Sequence, residues 1–267
     1  MTSDVITIHK LNKMKQSGEK IAALTVYDAA FCKLLNNAKI DVLLVGDSLG
    51  MVIQGHSSTI PVTIEEMVYH TRCASRGNSR ALLIGDMPFM SYSDPQSALK
   101  NAAKLMRAGA QMVKLEGGAW LLESVRQLVN CGIPVCGHLG LTPQSIHQLS
   151  GFHVQGRKSE QAKQILDDAL ALEKAGASLL VLECVPSSLA KLITEKLQIP
   201  TIGIGAGLDC SGQILVLHDM LGISEGRKFT FVKYFLTNET KTIQEAIENY
   251  VKEVKQGTFP GREHSFD

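Results

Sequence analysis

Five titratable side chains each follow a short aliphatic run. Asp47 comes after Val42-Leu-Leu-Val-Gly46 and Asp86 after Ala81-Leu-Leu-Ile-Gly85. Glu116 ends Met112-Val-Lys-Leu, His138 ends Pro134-Val-Cys-Gly, and Glu183 ends Leu179-Leu-Val-Leu. A sixth, Lys114, lies inside its run two residues before Glu116. Side chains alternate across a strand, so Lys114 and Glu116 face one way while Val113 and Leu115 face the other. If the runs are neighbouring strands, about 4.8 Å apart, Asp47, Asp86 and Glu116 form a crowded acidic cluster. Like charges that close raise one another's pKa unless a cation intervenes. An all-oxygen donor set suits a hard divalent ion such as Mg2+. The six cysteines are dispersed and His138 stands alone at its run end, so no zinc pattern is present. Two plainer readings stand beside this one. A carboxylate after a strand also caps the next helix, and Lys114 with Glu116 also makes a simple structural pair. Four carboxylates and a histidine at successive run ends fit one shared mouth better than five separate caps.

The elements that must position these residues follow from the same runs. Eight occur: 21–26, 42–46, 81–85, 111–115, 133–137, 178–182, 200–204 and 214–218. Their length and aliphatic content suit strands of a parallel sheet covered on both faces. Helix punctuation lies between them. Thr63-Ile-Glu-Glu66 is a capping box opening a helix that ends at Gly77. Asp94-Pro95 opens another that Gly109 closes. Further helices are expected from about Ser159 to Gly176 and from Thr242 to Gln256. The segments 107–116 and 174–183 align with each other and set Glu116 opposite Glu183, as a repeated αβ unit would. Eight strands alternating with helices predict an α/β fold, a (β/α)8 TIM barrel, with an open doubly wound sheet as the alternative. Residues 1–267 read as one barrel domain with short helical extensions at both ends. In such a barrel the catalytic face lies at the C-terminal strand ends. The long loop 47–60 is expected to shape the substrate or act as a lid. Gly203-Ile-Gly-Ala-Gly207 serves either ligand approach or tight packing, and it does not match a dinucleotide fingerprint.

Composition narrows the function. The chain has 267 residues, with 27 basic against 26 acidic side chains. That balance gives no electrostatic footprint for nucleic acid. No apolar run approaches the ~20 residues of a membrane helix, and the start lacks the pattern of a secretory or transit peptide. The cysteines read as buried thiols of a reduced compartment, which predicts a cytoplasmic protein. His9, His147, His153 and His264 read as surface or loop residues and His70 as a helix residue, none with a chemical role.

Six ordered segments, 45–51 (Val-Gly-Asp-Ser-Leu-Gly-Met), 85–90, 113–118, 137–144 (Gly-His-Leu-Gly-Leu-Thr-Pro-Gln), 182–186 and 202–207, closely resemble the ketopantoate hydroxymethyltransferase family. The likeness runs from Tyr27-Asp28 to Glu263-His-Ser-Phe266. It implies a barrel of the phosphoenolpyruvate/pyruvate superfamily that moves a hydroxymethyl group from 5,10-methylenetetrahydrofolate to 3-methyl-2-oxobutanoate, giving ketopantoate for pantothenate synthesis. It further implies Asp47, Asp86 and Glu116 as Mg2+ positions, and Asp47, Ser48, Asp86 and Lys114 as keto-acid contacts. Glu183 matches the family's proton acceptor, His138 lies in the site, and the assembly is a homodecamer. The chemistry is coherent: a 2-oxo acid chelates through carboxylate and keto oxygens, and Mg2+ stabilises the enolate left when the C3 proton departs. Lys114 neutralises developing oxyanion charge, while the division of proton transfer between Glu183 and His138 stays open.

Two segments depart from the family pattern. Ser211-Gly-Gln213 stands where Asp-Gly-Gln is usual, and 226–233 lacks the usual Pro-Lys-Phe-Val-Lys. Neither touches the metal or keto-acid positions; both bear on the C-terminal mouth and on folate or subunit contacts. Two other functions remain as alternatives: another Mg2+-dependent carbon–carbon lyase or mutase on a 2-oxo acid, and a non-catalytic barrel that binds a small ligand.

Overall fold

The aliphatic runs become eight parallel strands, hydrogen-bonded in chain order and closed between the last and the first. The computed structural model describes residues 4–224 and 229–267. The strands are β1 (Ile21–Thr25), β2 (Val42–Val45), β3 (Leu82–Asp86), β4 (Met112–Glu116), β5 (Val135–Gly140), β6 (Leu179–Glu183), β7 (Thr201–Ile204) and β8 (Gly212–Leu215). Helices interleave with them. These are α1 (Ile8–Ser17), α2 (Ala29–Asn37), α3 (Leu49–Val52), α4 (Ile64–Gly77) and α5 (Pro95–Ala108), followed by α6 (Leu122–Asn130), α7 (Ser159–Ala175), α8 (Ser187–Lys196), α9 (Leu217–Met220) and α10 (Ile243–Gln256). The closed (β/α)8 barrel is the architecture expected, and the open sheet is excluded.

The helix punctuation holds in detail. Thr63 and Glu66 form the reciprocal capping box of α4, and Thr242 with Glu245 does the same for α10. Asp94 accepts from the backbone of Gln96 and Ser97 at the start of α5, and left-handed Gly109 ends it. None of Asp47, Asp86, Glu116 or Glu183 is the cap residue of the helix that follows it. The capping reading of those four therefore fails, and they are left for other work.

Three expectations need correction. The eighth strand begins at Gly212 and stops at Leu215, and His218 lies in α9. A side chain at 212 would collide with the carbonyl of Ile21 on β1. Only glycine admits that close strand approach. His138 lies within β5 and not at its end, paired in register with Glu116 and Val181. The cysteines are not all buried: Cys32, Cys136, Cys184 and Cys210 are, Cys73 is partly covered and Cys131 is exposed.

The N-terminal end of the barrel is closed by polar ties. The Tyr250 hydroxyl on α10 lies 2.8 Å from the carbonyl of Ala23 and 2.9 Å from that of Gln213, joining β1 to β8. Lys15 on α1 donates to the carbonyls of Thr194, Leu197 and Ile199, the free C-terminal carbonyls of α8 and its following turn. Ser211 exchanges hydrogen bonds with Thr201 just ahead of β8. That departure therefore lies at the end of the barrel away from the mouth. Of the other departure, 226–228 lie outside the described residues. Among the described residues no helix is long and apolar enough to cross a membrane.

Tyr250→Phe removes a hydroxyl that serves two buried strand carbonyls. We expect a loss of about 1 kcal/mol, read as a lower urea midpoint at unchanged slope. An unshifted midpoint would show that the phenol ring alone closes this end.

Candidate active site

Strand register fixes the site. Asp86 ends β3 directly beside Lys114 on β4, and Glu116 ends β4 directly beside His138 on β5. Glu183 ends β6 opposite Gly140 on β5. Asp47 follows β2 by two residues, and its backbone N–H lies 3.4 Å from Asp86 Oδ2. All six side chains line one cavity of about 840 Å3, together with Ser48. The mouth expected from sequence is therefore assembled.

Asp47, Asp86 and Glu116 are buried and place carboxylate oxygens within 4.8 Å of one another. Loss of water raises Asp47 well above the carboxylate range, and the charges of Asp86 and Glu116 add to that rise. Asp86 is raised by burial too, although Lys114 works against the shift. Lys114 Nζ sits 2.8 and 2.7 Å from the two Asp86 oxygens and 3.3 Å from Glu116 Oε1. Burial opposes its charge, yet Asp86, Glu116 and Asp47 together hold the ammonium well above its usual value. Glu116 goes the other way. Burial works to raise it, but Lys114 and His138 bring it down to about 2.

His138 bridges two carboxylates, with Nδ1 3.1 Å from Glu116 Oε1 and Nε2 3.3 Å from Glu183 Oε2. Burial and the Lys114 charge push its pKa down, while Glu116 and Glu183 outweigh them and lift it to about 9. In the metal-free site His138 is thus an imidazolium at neutral pH. The acidic patch thus faces a second cation beside Lys114.

The three carboxylates could hold a hard divalent ion. Their donors are all oxygen, their spacing is that of a shared ligand, and two of them are raised by mutual repulsion and dehydration. Among the described residues this is the one such group of acidic, histidine or cysteine side chains.

Gln144 escaped sequence reasoning although it closes the matching segment 137–144. It is buried, and its backbone N–H donates to Glu116 Oε2 at 3.0 Å. Its amide Nε2 donates to Asp47 Oδ2 and to the Met87 carbonyl, both at 2.9 Å. Its Oε1 accepts from the Tyr92 hydroxyl at 2.5 Å. One residue, through its backbone and its amide, thereby ties Asp47 to Glu116. Tyr27 was likewise not assigned a role; its hydroxyl is 2.9 Å from Ser48 Oγ. A neutral amide or phenol carries no signal in sequence unless its partners are known.

The loops resolve too. Residues 47–60 include α3 and supply one cavity wall through Met51, Val52, Ile53, His56 and Ser57. Gly205 is left-handed, and a side chain there would press on the rings of Phe266 and Phe231. The 203–207 loop thus packs on these rings at Gly205, while Ile204 lines the cavity. His70 is spent on the carbonyl of Tyr27.

The barrel has the fold of the phosphoenolpyruvate mutase/isocitrate lyase group. A phosphonopyruvate hydrolase structure aligns with TM-score 0.62 at 11% identity, over 82% of this chain and 84% of its own. A 2,3-dimethylmalate lyase structure, a member of that superfamily, aligns with TM-score 0.58 at 15% identity, over 80% and 81%. Sequence comparison is narrower. The model of the family described as Ketopantoate hydroxymethyltransferase matches residues 5–262, and the chain belongs to that family. The Shewanella loihica protein named 3-methyl-2-oxobutanoate hydroxymethyltransferase is 60% identical over 261 residues, 98% of both chains. The protein of that name from Shewanella pealeana is 60% identical over 98% of this chain and 99% of its own.

Lys114→Met leaves Asp86 and Glu116 buried without their ammonium partner. In chelator we expect roughly 3–5 kcal/mol less stability at neutral pH. The loss should shrink as pH falls, because raised carboxyls take up protons and shed the repulsion. A melting-temperature deficit that does not depend on pH would refute this electrostatic account.

Proposed function

We propose that this chain transfers the hydroxymethyl group of 5,10-methylenetetrahydrofolate to 3-methyl-2-oxobutanoate, giving ketopantoate, a step of pantothenate synthesis. The observation that carries the reading is the arrangement of three buried carboxylates beside Lys114, with the His138–Glu183 pair in the same cavity. Family membership supplies the substrates.

Asp47, Asp86 and Glu116 would hold Mg2+, which when bound polarises the 2-keto group and stabilises negative charge on its oxygen. Lys114, fully charged, neutralises charge developing on the keto acid. Ser48, fixed by Tyr27, and Asp86 complete the acid's contacts. Glu183 takes the C3 proton. It lines the cavity and is less buried than the other carboxylates, and it meets His138 through an ion contact only. His138, 3.3 Å from Glu183 Oε2, holds that carboxylate in place. Water releases the one-carbon unit from tetrahydrofolate at the formaldehyde level, and C3 adds to its carbonyl carbon, whose oxygen takes up a proton and becomes the new hydroxyl.

The same proposal makes the chain one catalytic barrel with α1 and α10 appended, assembled as a homodecamer in the cytoplasm. Exposed Phe89, Met90 and Trp120 on neighbouring mouth loops offer apolar surface to a second copy. Six unpaired cysteines suit a reducing compartment.

With 3-methyl-2-oxobutanoate in D2O and Mg2+, but no folate, we expect NMR to show exchange of the C3 proton that stops on adding chelator. Glu183→Gln should slow it by roughly 100-fold or more. Exchange at the wild-type rate in that variant would remove Glu183 as the base, and no exchange in the parent enzyme would remove the enolisation step. Light scattering should give a particle of about ten times the 29.0 kDa chain mass; a monomer would defeat the assembly proposal.

A further inference from the structure

The cavity is much larger than the acid its metal side addresses. Its volume of about 840 Å3 is in the range that drug-sized ligands fill, whereas 3-methyl-2-oxobutanoate is a five-carbon acid. Beyond the charged cluster the lining is mainly apolar. Phe229 stacks on Phe231 at 5.3 Å and meets Phe152 edge-on at 5.5 Å, with Val216 and Ile223 beside them in the same lining.

Two ionisable side chains in this lining, His56 and Asp219, have no part in the chemistry above. Asp219, in α9, lies directly in the cavity wall. Burial raises its carboxyl, and the nearby Ser224 hydroxyl works against that rise. Asp219 shares the cavity lining with Asp47 and Ser48 at the acid-binding end; Tyr27, whose hydroxyl bonds Ser48, feels the charges of both Asp219 and Asp47. A second anion beside Asp219 would be repelled. A flat, neutral ring that offers adjacent N–H donors would be held by both carboxylate oxygens, a paired contact of the kind that also fixes orientation.

A reduced pterin has that edge: the ring N3–H and the 2-amino group lie side by side. We propose that Asp219 accepts both donors of the pterin of the one-carbon donor, with Phe229 and Phe231 forming the apolar wall of the same compartment. The assignment rests on the folate-dependent reading. It also sets the order along the cavity: keto acid at the carboxylate cluster, pterin toward α9.

The test is binding of tetrahydrofolate, measured by calorimetry on the Mg2+-loaded protein. Asp219→Asn replaces one acceptor oxygen with a donor that opposes the pterin's own donors. We expect its dissociation constant to rise by roughly 10–100-fold, with the melting temperature and the keto-acid dissociation constant reporting an intact fold. A ligand-side arm needs no variant: tetrahydrofolate lacking the 2-amino group should bind the parent protein at least about 10-fold more weakly. The same deletion should cost little further affinity in Asp219→Asn, since the two changes remove one contact. Equal tetrahydrofolate affinity in parent and variant, or indifference of the parent to the 2-amino group, overturns the assignment and leaves the folate reading standing. No binding of tetrahydrofolate to the parent overturns both.

Discussion

Dehydrated like charge at the mouth of a closed barrel is the constraint on which this structure turns. Two unit charges about 4 Å apart repel by about 4 kcal/mol at the effective dielectric of a protein site. Asp47, Asp86 and Glu116 meet at nearly that separation with almost no water contact. Around them every polar neighbour is arranged to offset the repulsion. Lys114 is shared between two of the three, His138 is lifted into its charged form, and Gln144 donates to one oxygen each of Glu116 and Asp47. The cluster also distributes protons unevenly: Glu116 is held ionised at about 2 while Asp47 is pushed the other way. A divalent cation would relieve the carboxylate that bears most of the strain.

The barrel makes that concentration of charge achievable because its register leaves little freedom. Asp86 beside Lys114 and Glu116 beside His138 are ladder neighbours, so their distances follow from strand pairing alone. Positioning of this kind sits on rigid elements, not on loops. At the opposite end α1, α10 and the start of β8 carry the ties that keep the closed sheet from opening. The N-terminal end serves stability and the C-terminal end chemistry, the division of labour general to such barrels.

Much of this was legible in the sequence because each signal was local. The Thr63 and Thr242 caps, the left-handed glycine after α5 and the aliphatic runs depend on a few adjacent residues. So did the charged run ends, since a carboxylate after an apolar strand is conspicuous. What could not be read depended on partners far along the chain. Gly212 shows no role until the Ile21 carbonyl is seen against it. His138 looks like a strand end until its pairing with Glu116 shows the ladder continuing to Gly140. Gln144 and Asp219 sit in stretches of unremarkable pattern, and only folding reveals that one meets Asp47 and the other shares a cavity lining with Phe229 and Phe231.

The amide of Gln144 has a further consequence. Its Nε2 faces two acceptors, Asp47 and the Met87 carbonyl, while its Oε1 faces the Tyr92 hydroxyl, so only one of the two flipped orientations is compatible with its neighbours. That choice obliges Tyr92 to point its hydrogen at Gln144 and to receive the N–H of Glu116. The bonds then run in a single sense from the Glu116 backbone through Tyr92 and Gln144 to Asp47. Hydroxyl and amide hydrogens elsewhere on a protein surface rotate among partners until a ligand arrives. Here they are already assigned, and an arriving ligand meets a centre whose rotational disorder was removed when the chain folded.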